Sequence, residues 1–317
     1  MANSITKALK LAVPLILGVA LVWYSLSKVS INDLVDYFKD ANYTYIALGL
    51  LFGFLSHLSR AYRWKFLIEP LGYTLRLPNS IMAVFATYLV NYTIPRAGEV
   101  MRATVISNYE GIPFEKGFGT IVSERIADLT VMFIIIAFTL ALEFDFIFQF
   151  ISERFDFIRL LGIGALMLIL AVFAFLFIKN SNLRIATKLR SFSIGLVEGV
   201  LSILRMKKKW AFIFHTFFIW TMYVLMFYIT TFALPETSNL PLAAVLIGFI
   251  AASFSIAATN GGIGSYPIAV YGAFSLFAIA REPAIAIGWI LWSSQTLMIV
   301  LLGGLSLILL PIYNRIK

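Results

Sequence analysis

The chain has 317 residues, of which 61% are hydrophobic and 13% are charged, and its formal net charge is +9. Soluble domains carry about 25% charged residues, so the composition excludes a soluble enzyme and predicts a polytopic helical membrane protein, because helices satisfy their own backbone in lipid. The absence of cysteine excludes disulfides and thiol catalysis, and two histidines make a transition-metal site improbable. We expect the Lys and Arg clusters to mark the cytoplasmic side and to contact anionic inner-leaflet lipids, with no nucleic acid as partner.

The first two spans are predicted from apolar runs. Residues 11–27 follow Lys7 and Lys10, and we interpret them as a span and not a signal peptide, because no small-residue cleavage site follows. Residues 28–42 carry more Asp than Lys and are predicted to form an external loop. Asn42 is expected to cap a second span over about 43–68.

The second span becomes polar before it ends. His57, Arg60 and Trp64 recur on one helical face, and Arg63 lies beside them. Two interpretations stay open for the arginines. They are interfacial anchors whose stems lie along apolar surface, or they line the mouth of an internal polar site.

A re-entrant helical hairpin is predicted over about 78–116, with its turn near Pro95. The arm 78–94 is short for a full span, and its length alone does not decide between crossing and re-entry. Charge decides in favour of re-entry, because a full crossing would place the basic loop 179–209 outside and the acidic loop 143–159 inside.

The second half repeats this order with inverted topology. We predict spans at about 118–142, 158–178, 210–234 and 283–310, an interfacial basic helix at about 184–206, and a second re-entrant hairpin at about 241–282. The fold class is therefore an all-α polytopic membrane protein, a single transmembrane domain 1–317 with about six spans and two hairpins. Residues 1–150 and 151–317 form an inverted repeat of the kind found in secondary transporters.

A central polar site is predicted where the two hairpins break. Its phosphate-binding candidates are Arg60, Arg63, Arg96, Arg102, Arg125, Asn91, Gly261, Gly262, Gly264 and Ser265. Glu99, Glu124 and Asp128 are candidates for charge balance or proton coupling. Intramembrane ionisable residues indicate function by default, and helix N-termini with free N–H groups suit an anion. Close helix packing remains the alternative for the glycines, and a structural ion-pair network for the carboxylates.

These residues resemble a known family, the transmembrane region of lysylphosphatidylglycerol synthases, also called the flippase-like or UPF0104 family. The resemblance rests on four segments: 60–64 (Arg-Ala-Tyr-Arg-Trp), 91–102 with Asn91, Pro95, Arg96, Gly98, Glu99 and Arg102, 124–128 (Glu-Arg-Ile-Ala-Asp), and 261–264 (Gly-Gly-Ile-Gly). One departure is that Asn260 stands before the glycines where the family often has Pro, and Pro267 stands where a Glu often follows.

The resemblance implies lipid translocation, or presentation of a lipid to a partner enzyme. We expect a phospholipid or a polyprenyl-phosphate lipid as ligand, no catalytic residue, no cofactor and no metal. The expected location is the bacterial inner membrane, with both termini cytoplasmic. The alternative is that the chain presents a lipid to a lipid-modifying enzyme or is itself one. The oligomeric state stays open, with a homodimer as one option.

Overall fold

The structure is a computed structural model. It describes residues 20–27, 29–94, 96–154, 157–180, 183, 187, 203 and 206–315. Within these ranges the chain forms α-helices and short 3₁₀ turns without a strand, so the predicted all-α fold is confirmed. The first span is described only from residue 20 onward, and the predicted interfacial helix at 184–206 lies outside the described residues except for 187, 203 and 206.

In the described part of the chain, eleven helices follow the short helical segment 20–26. They are α1 (Ile31–Asp40), α2 (Tyr43–Ile68), α3 (Leu77–Thr93), α4 (Ala97–Glu110), α5 (Phe114–Leu142), α6 (Phe144–Arg154), α7 (Phe157–Asn180), α8 (Lys209–Thr231), α9 (Leu242–Ala258), α10 (Ser265–Phe274) and α11 (Arg281–Arg315).

The described chain divides into two compact units. One unit contains Met1–Ile121 and Trp210–Lys317, and the other contains Val122–Lys209. The boundaries of these units follow the contacts inside each unit, and they differ from the boundaries of the predicted inverted halves. The predicted inverted halves, 1–150 and 151–317, remain a prediction.

The first predicted hairpin is present in the first unit as α3 and α4, which pack against each other. Pro78 stands in the first turn of α3, where a missing N–H costs nothing. The helix stops at Ile94, whose backbone is extended, and α4 begins after Arg96, whose φ of 61° is left-handed. The turn near Pro95 is where we predicted it, but the proline, a residue favoured in the first turn of a helix, was expected inside the second arm. That detail was wrong, because α4 begins at Ala97.

The open ends of this hairpin are joined by a polar cluster. Arg76 Nε donates to both carboxylate oxygens of Glu110 at 3.0 and 3.1 Å, and Asn79 Nδ2 donates to Glu110 Oε1 at 2.6 Å. Asn314, near the end of α11, accepts from Arg76 at 2.8 Å and donates to Asn79 at 2.9 Å. The start of α3, the end of α4 and the end of α11 therefore meet.

The second hairpin consists of α9 and α10, which also pack against each other. The helix breaks after Ala258, and Gly261, Gly262 and Gly264 all have positive φ, the conformation that glycine adopts without a Cβ penalty. Thr259 Oγ1 accepts from the Gly262 amide at 3.1 Å, which satisfies one amide of the turn.

The long helix α11 packs against both hairpins. Its first residues follow the second hairpin directly, and its last residues contact the open end of the first. Near its middle, Thr296 donates to the Tyr92 hydroxyl at 3.1 Å, and Trp292 Nε1 donates to the Gly261 carbonyl at 2.7 Å. The two hairpins thus start at opposite ends of α11 and their tips meet beside its centre. The approach of the two breaks that we predicted is confirmed.

Three described helices are long and apolar enough to cross a membrane, judged by length and composition: Phe114–Leu142, Lys209–Thr231 and Arg281–Arg315. The larger number of six spans and the re-entry of the hairpins remain predictions. The helix bounds and the Asn42 cap expected for the second span are confirmed, since α2 runs from Tyr43 to Ile68 and the Asn42 side chain accepts from the Thr44 amide at 3.0 Å. That α2 crosses the membrane remains a prediction.

Two segments predicted as loops are helical. Residues 28–42 contain α1, and residues 143–159 contain α6. Tyr37 of α1 lies within the electrostatic influence of three carboxylates. Partial burial, together with the charges of Glu236, Glu282 and Asp33, raises the pKa of Tyr37 above its usual value.

Single-cysteine labelling tests the opposite entry of the hairpins, because the natural chain has no cysteine. We expect Asn108→Cys, near the open end of the first hairpin, and Arg281→Cys, at the open end of the second, to react with an impermeant maleimide from opposite sides of a vesicle. Arg315→Cys is the matched control and should react from the same side as Asn108→Cys. Labelling of Asn108→Cys and Arg281→Cys from one side would contradict this topology.

Candidate functional site

Three buried arginines occupy the interior of the first unit. Arg60 and Arg63 lie one turn apart on α2, and Arg102 lies on α4. Their exposed fractions are 2%, 0% and 1%. A guanidinium group stays protonated at any physiological pH, so this interior holds three positive charges that each require compensation by polar, aromatic or charged groups.

Arg63 is held against α8. Its Nη1 donates to Thr216 Oγ1 at 2.8 Å, and its guanidinium carbon lies 5.2 Å from the centre of the Phe212 ring. Thr216 and Phe212 are one turn apart on α8, so they present a hydroxyl and an aromatic face together.

Arg102 stacks on Trp64. Its guanidinium carbon lies 3.8 Å from the ring centre, well within the range of a cation–π contact. The indole N–H of Trp64 donates to Thr120 Oγ1 at 2.9 Å, which fixes the ring that carries the arginine. Arg63 and Trp64 are sequence neighbours, so α2 links the two cationic positions.

A histidine and two tyrosines lie beside Arg60. The Arg60 guanidinium carbon is 5.9 Å from the Tyr223 ring centre. The Tyr223 and Tyr88 hydroxyls are 3.2 Å apart, and the Tyr223 hydroxyl is 3.5 Å from His57 Nδ1. Helices α2, α3 and α8 therefore meet around a group of polar aromatic side chains.

The tip of the first hairpin is built around Asn91. Its Oδ1 accepts from the Gly98 amide at 2.8 Å, and its Nδ2 donates to Glu99 Oε2 at 3.3 Å. A Cβ at Gly98 would overlap the carbonyl oxygen of Thr87, so only glycine allows this approach of α4 to α3. Asn91 thus positions Glu99 at the first turn of α4.

Arg96 differs from the three buried arginines. Its side chain is exposed, and it stands at the N-cap position of α4 with a left-handed backbone. The structure does not bring Arg96 into the buried set with Arg60, Arg63 and Arg102.

The second break is closed by its own hydroxyl groups and neighbours. Ser265 Oγ lies 2.6 Å from Ser255 Oγ and 2.9 Å from Thr259 Oγ1. The space in front of Gly261 is filled by the Tyr92 ring, and the space in front of Gly264 by the backbone of Leu21 and Val22. This geometry favours the close-packing interpretation of Gly261 and Gly264, and Gly262 is the turn glycine that receives the Thr259 contact.

Glu124, Arg125 and Asp128 belong to the second unit. Glu124 and Asp128 are buried, and Arg125 Nη1 lies 3.6 Å from Asp128 Oδ2. An ion pair between residues three apart is therefore present, which fits the alternative of a structural ion-pair network. Its relation to the arginines of the first unit stays a prediction.

Several groups of the site were absent from our sequence-based candidates: Thr216, Tyr223, Tyr88, Thr120 and the pairing role of Trp64. The sequence did contain a signal for two of these residues. Thr216 and Tyr223 lie seven residues apart, on one face of an otherwise apolar helix. The remaining contacts join positions far apart in the chain and carry no local pattern.

Comparison with known proteins places the chain in a family. The model of the lysylphosphatidylglycerol synthase TM region matches residues 11–304. The chain belongs to this family. Membership and the apolar helices make it an integral membrane protein. No solved structure matches the chain.

Two curated proteins are similar to parts of this chain. A UPF0104 membrane protein of Methanocaldococcus jannaschii is 27% identical over 128 residues, which are 39% of this chain and 38% of that protein. The glycosyltransferase AglD of Haloferax volcanii is 27% identical over 99 residues, which are 31% of this chain and 16% of that protein. The matches thus span well under half of either relative.

The junction of the two hairpin tips in this family member can be tested at Gly261. We expect Gly261→Ala to lower the free energy of unfolding by about 1–3 kcal/mol, because φ is +62° and a Cβ would lie 2.5–2.6 Å from carbons of the Tyr92 ring. The matched control is Gly272→Ala in α10, where no atom lies within 4 Å of an added Cβ and alanine should stabilise the helix by up to about 1 kcal/mol. Thermal unfolding in detergent measures both. Equal changes in the free energy of unfolding in the two variants would contradict the close contact between the hairpin tips.

Proposed function

We propose that this protein is a membrane lipid translocator, of the flippase or scramblase type, which binds a phosphate-bearing lipid headgroup in a central polar cavity. The ligand is a phospholipid or a polyprenyl-phosphate lipid, and the chain itself carries out no chemical conversion. We place it in the bacterial inner membrane with both termini cytoplasmic, on the charge pattern alone.

The observation that carries the proposal is the set of buried arginines on α2 and α4. Arg60, Arg63 and Arg102 are almost fully enclosed in a protein that is 61% hydrophobic. Buried cations of this kind mark ion or substrate pathways in membrane proteins. A planar guanidinium offers two parallel donors that match a phosphate, and phosphate is the anion common to membrane lipid headgroups.

The hairpin geometry supports the same proposal. Two helical hairpins that start at opposite ends of α11 and meet beside its centre fit the broken helices of secondary transporters, which place a substrate site near mid-membrane. In our proposal Asn91 and Glu99 at the first tip, with Ser265 at the second, border that site.

Reconstitution into vesicles tests the function. The purified chain is placed in phospholipid vesicles that contain a fluorescent-headgroup phospholipid, and the inner-leaflet fraction is followed by bleaching the outer leaflet. In protein-free vesicles only the labelled lipid of the outer leaflet, about half of the total, can be bleached. We expect this bleachable fraction to rise toward the whole of the labelled lipid when the protein is present. Bleaching that stays at the level of protein-free vesicles would overturn translocation.

The energy source is tested by a pH gradient in the same vesicles. A bound phosphate adds negative charge near Glu99, whose carboxylate Asn91 holds at the first hairpin tip, and uptake of a proton by a carboxylate would balance that added charge. We propose weak proton coupling with Glu99 as carrier, and we expect the gradient to change the rate in the natural protein but not in Glu99→Gln. Rates that ignore the gradient in both proteins would indicate passive scrambling.

A second candidate function is presentation of a lipid to an enzyme. What favours it is the match to part of a glycosyltransferase, AglD, of which this chain covers 16%. On this proposal the chain would hold a lipid for a partner that modifies its headgroup. Vesicles without any partner distinguish the two functions, because translocation requires no second protein.

A further inference from the structure

One face of α4 is exposed from the tip of the first hairpin to its open end. We call it the α4 face, and it consists of every fourth residue: Arg96, Val100, Thr104 and Asn108. Other sides of the helix pack on protein, because Gly98 lies against α3 and Ile106 lies against Gly117 in the first turn of α5. The α4 face therefore points away from the helices that hold α4 in place.

The α4 face begins at the depth of the centre of α11 and ends at the depth of its last turn. At the tip, the 3.1 Å contact between Tyr92 and Thr296 lies near the middle of α11, which is long and apolar enough to cross a membrane. At the open end, Arg76 donates both to the Tyr109 carbonyl of α4 and to the end of α11. The face covers about 18 Å of helix, more than half of a hydrocarbon core of about 30 Å.

The exposed residues of α11 over the same depth have a different character. Every exposed residue of α11 between 297 and 312 is apolar, which fits contact with lipid chains. The α4 face instead carries a guanidinium, a hydroxyl and an amide. A charged side chain is costly in hydrocarbon and normally faces a bundle interior or a water-filled cavity. Because the α4 face is exposed, water is the medium that fits it.

Arg96 places a positive charge at the deep end of this face. Its φ of 61° is a left-handed conformation that glycine adopts without the steric penalty of a Cβ. Among the described non-glycine residues only Ala278 shares a positive φ. Backbone strain of this kind is concentrated at functional sites, and a cation at the inner end of a polar cleft attracts anions.

We propose that the α4 face lines a water-filled, anion-selective path that leads from the open end of the first hairpin to Arg96 at its tip. The ligand class is a phosphate-type anion. In taking that anion to be a lipid headgroup on its way to the hairpin tips, the inference rests on the proposed function.

Labelling rates of single cysteines test for water. The full chain, which has no natural cysteine, is placed in nanodiscs of the uncharged, phosphate-free lipid digalactosyldiacylglycerol. The water-soluble thiol reagents are MTSES, an anion, and MTSET, a cation. We expect Val100→Cys to react with MTSES roughly tenfold or more faster than Leu305→Cys on α11, because the reactive thiolate forms in water and not in hydrocarbon.

Leu305→Cys is matched to Val100→Cys in exposure and in depth. Leu305 is 50% exposed and Val100 is 48% exposed. Gly98 and Gly303 both lie against the 85–89 turn of α3, and Val100 and Leu305 each follow two residues later, toward the same end. Equal labelling rates at the two cysteines would overturn the water path.

Arg96→Gln tests the selectivity for anions. We expect it to lower the ratio of the MTSES rate to the MTSET rate at Val100→Cys about three- to tenfold, the effect of one partly screened charge about 6 Å away. At Asn108→Cys, near the open end, the ratio should change by less than about twofold. An unchanged ratio at Val100→Cys would overturn the selectivity.

Protection against an uncharged thiol reagent identifies the source of the anion. Inorganic phosphate is added to the buffer, or phosphatidylglycerol is included in the nanodisc, and the rate at Val100→Cys is divided by that at Arg315→Cys. We expect phosphatidylglycerol to lower this normalised rate and inorganic phosphate to leave it unchanged. Protection by inorganic phosphate alone would overturn the assignment to a lipid headgroup.

The labelling requires no translocation, so it separates the path from the function. Translocation in vesicles with equal, slow labelling of Val100→Cys and Leu305→Cys would overturn the path and leave the function standing. Fast, Arg96-dependent labelling of Val100→Cys without translocation would support the path and overturn the function.

Discussion

Arg63→Gln is expected to lower the rate of lipid translocation roughly 10- to 150-fold. The substitution removes a charge-assisted interaction of about 1.5–3 kcal/mol with the phosphate, at a side chain with 0% exposure. Translocation of a fluorescent-headgroup phospholipid in vesicles measures the rate, and size-exclusion chromatography shows whether the variant remains folded.

Two companion variants separate charge from packing. Thr216→Val removes the 2.8 Å hydrogen-bond partner of Arg63 but keeps the charge, and we expect a rate within about fivefold of the natural protein. Arg63→Lys keeps the charge but lacks the planar guanidinium with its two parallel donors, so we expect a rate between those of Arg63→Gln and the natural protein. A folded Arg63→Gln variant with an unchanged rate would contradict a role for Arg63 in phosphate binding. An unfolded one, together with a folded but inactive Arg102→Gln, would assign Arg63 to structure and retain the site.

Glu110→Ala is expected to lower the free energy of unfolding by about 2–4 kcal/mol. Breaking a fully buried ion pair costs about 3–5 kcal/mol, and Arg76, which is 29% exposed, retains some contact with solvent. The variant also removes the acceptor of Asn79 Nδ2, so a buried amide loses a 2.6 Å hydrogen bond. Unfolding in mixed detergent micelles measures the change.

The control for Glu110→Ala is the exposed ion pair of α1. Lys39 Nζ lies 3.1 Å from Asp36 Oδ1, nearly the same distance, but the side chains are 68% and 65% exposed. We expect Asp36→Ala to change the free energy of unfolding by less than about 1 kcal/mol, because solvent screens the pair. A loss in Asp36→Ala as large as that in Glu110→Ala would show that the polar cluster does not hold the hairpin ends together.

Helices with a local signal were predicted well. Asn42 and the apolar run after it define α2, and the breaks at Ile94–Arg96 and Gly261–Gly264 interrupt helices where proline and glycine stand. These signals act within a few residues, through capping, fixed φ or the absence of a Cβ, and so they are visible in the sequence.

The missed helix α1 also had a local signal. Ile31, Leu34, Val35 and Phe38 recur at helical spacing within a segment that we interpreted as a loop because of its charge. Charge predicts which side of the membrane the segment occupies, and it carries no information about whether the backbone is helical.

Some of the site could be anticipated from composition. Arginines inside apolar segments must be compensated, so the sequence alone was enough to make Arg60, Arg63 and Arg102 candidates. Their aromatic and hydroxyl partners were not among the candidates, since Trp64 lies 38 residues before Arg102 and Thr216 lies 153 residues after Arg63. No periodicity connects positions so far apart.

By itself the sequence determined the all-helical class, the helix breaks, the family and the arginines that need compensation, because each follows from neighbouring residues or from composition. Only the tertiary structure decided that Arg102 is buried on Trp64 while Arg96, six residues earlier, is exposed. It also decided that Tyr92 occupies the space in front of Gly261. Both depend on how close two hairpins and α2 approach, and that distance is set by packing between segments distant in the chain.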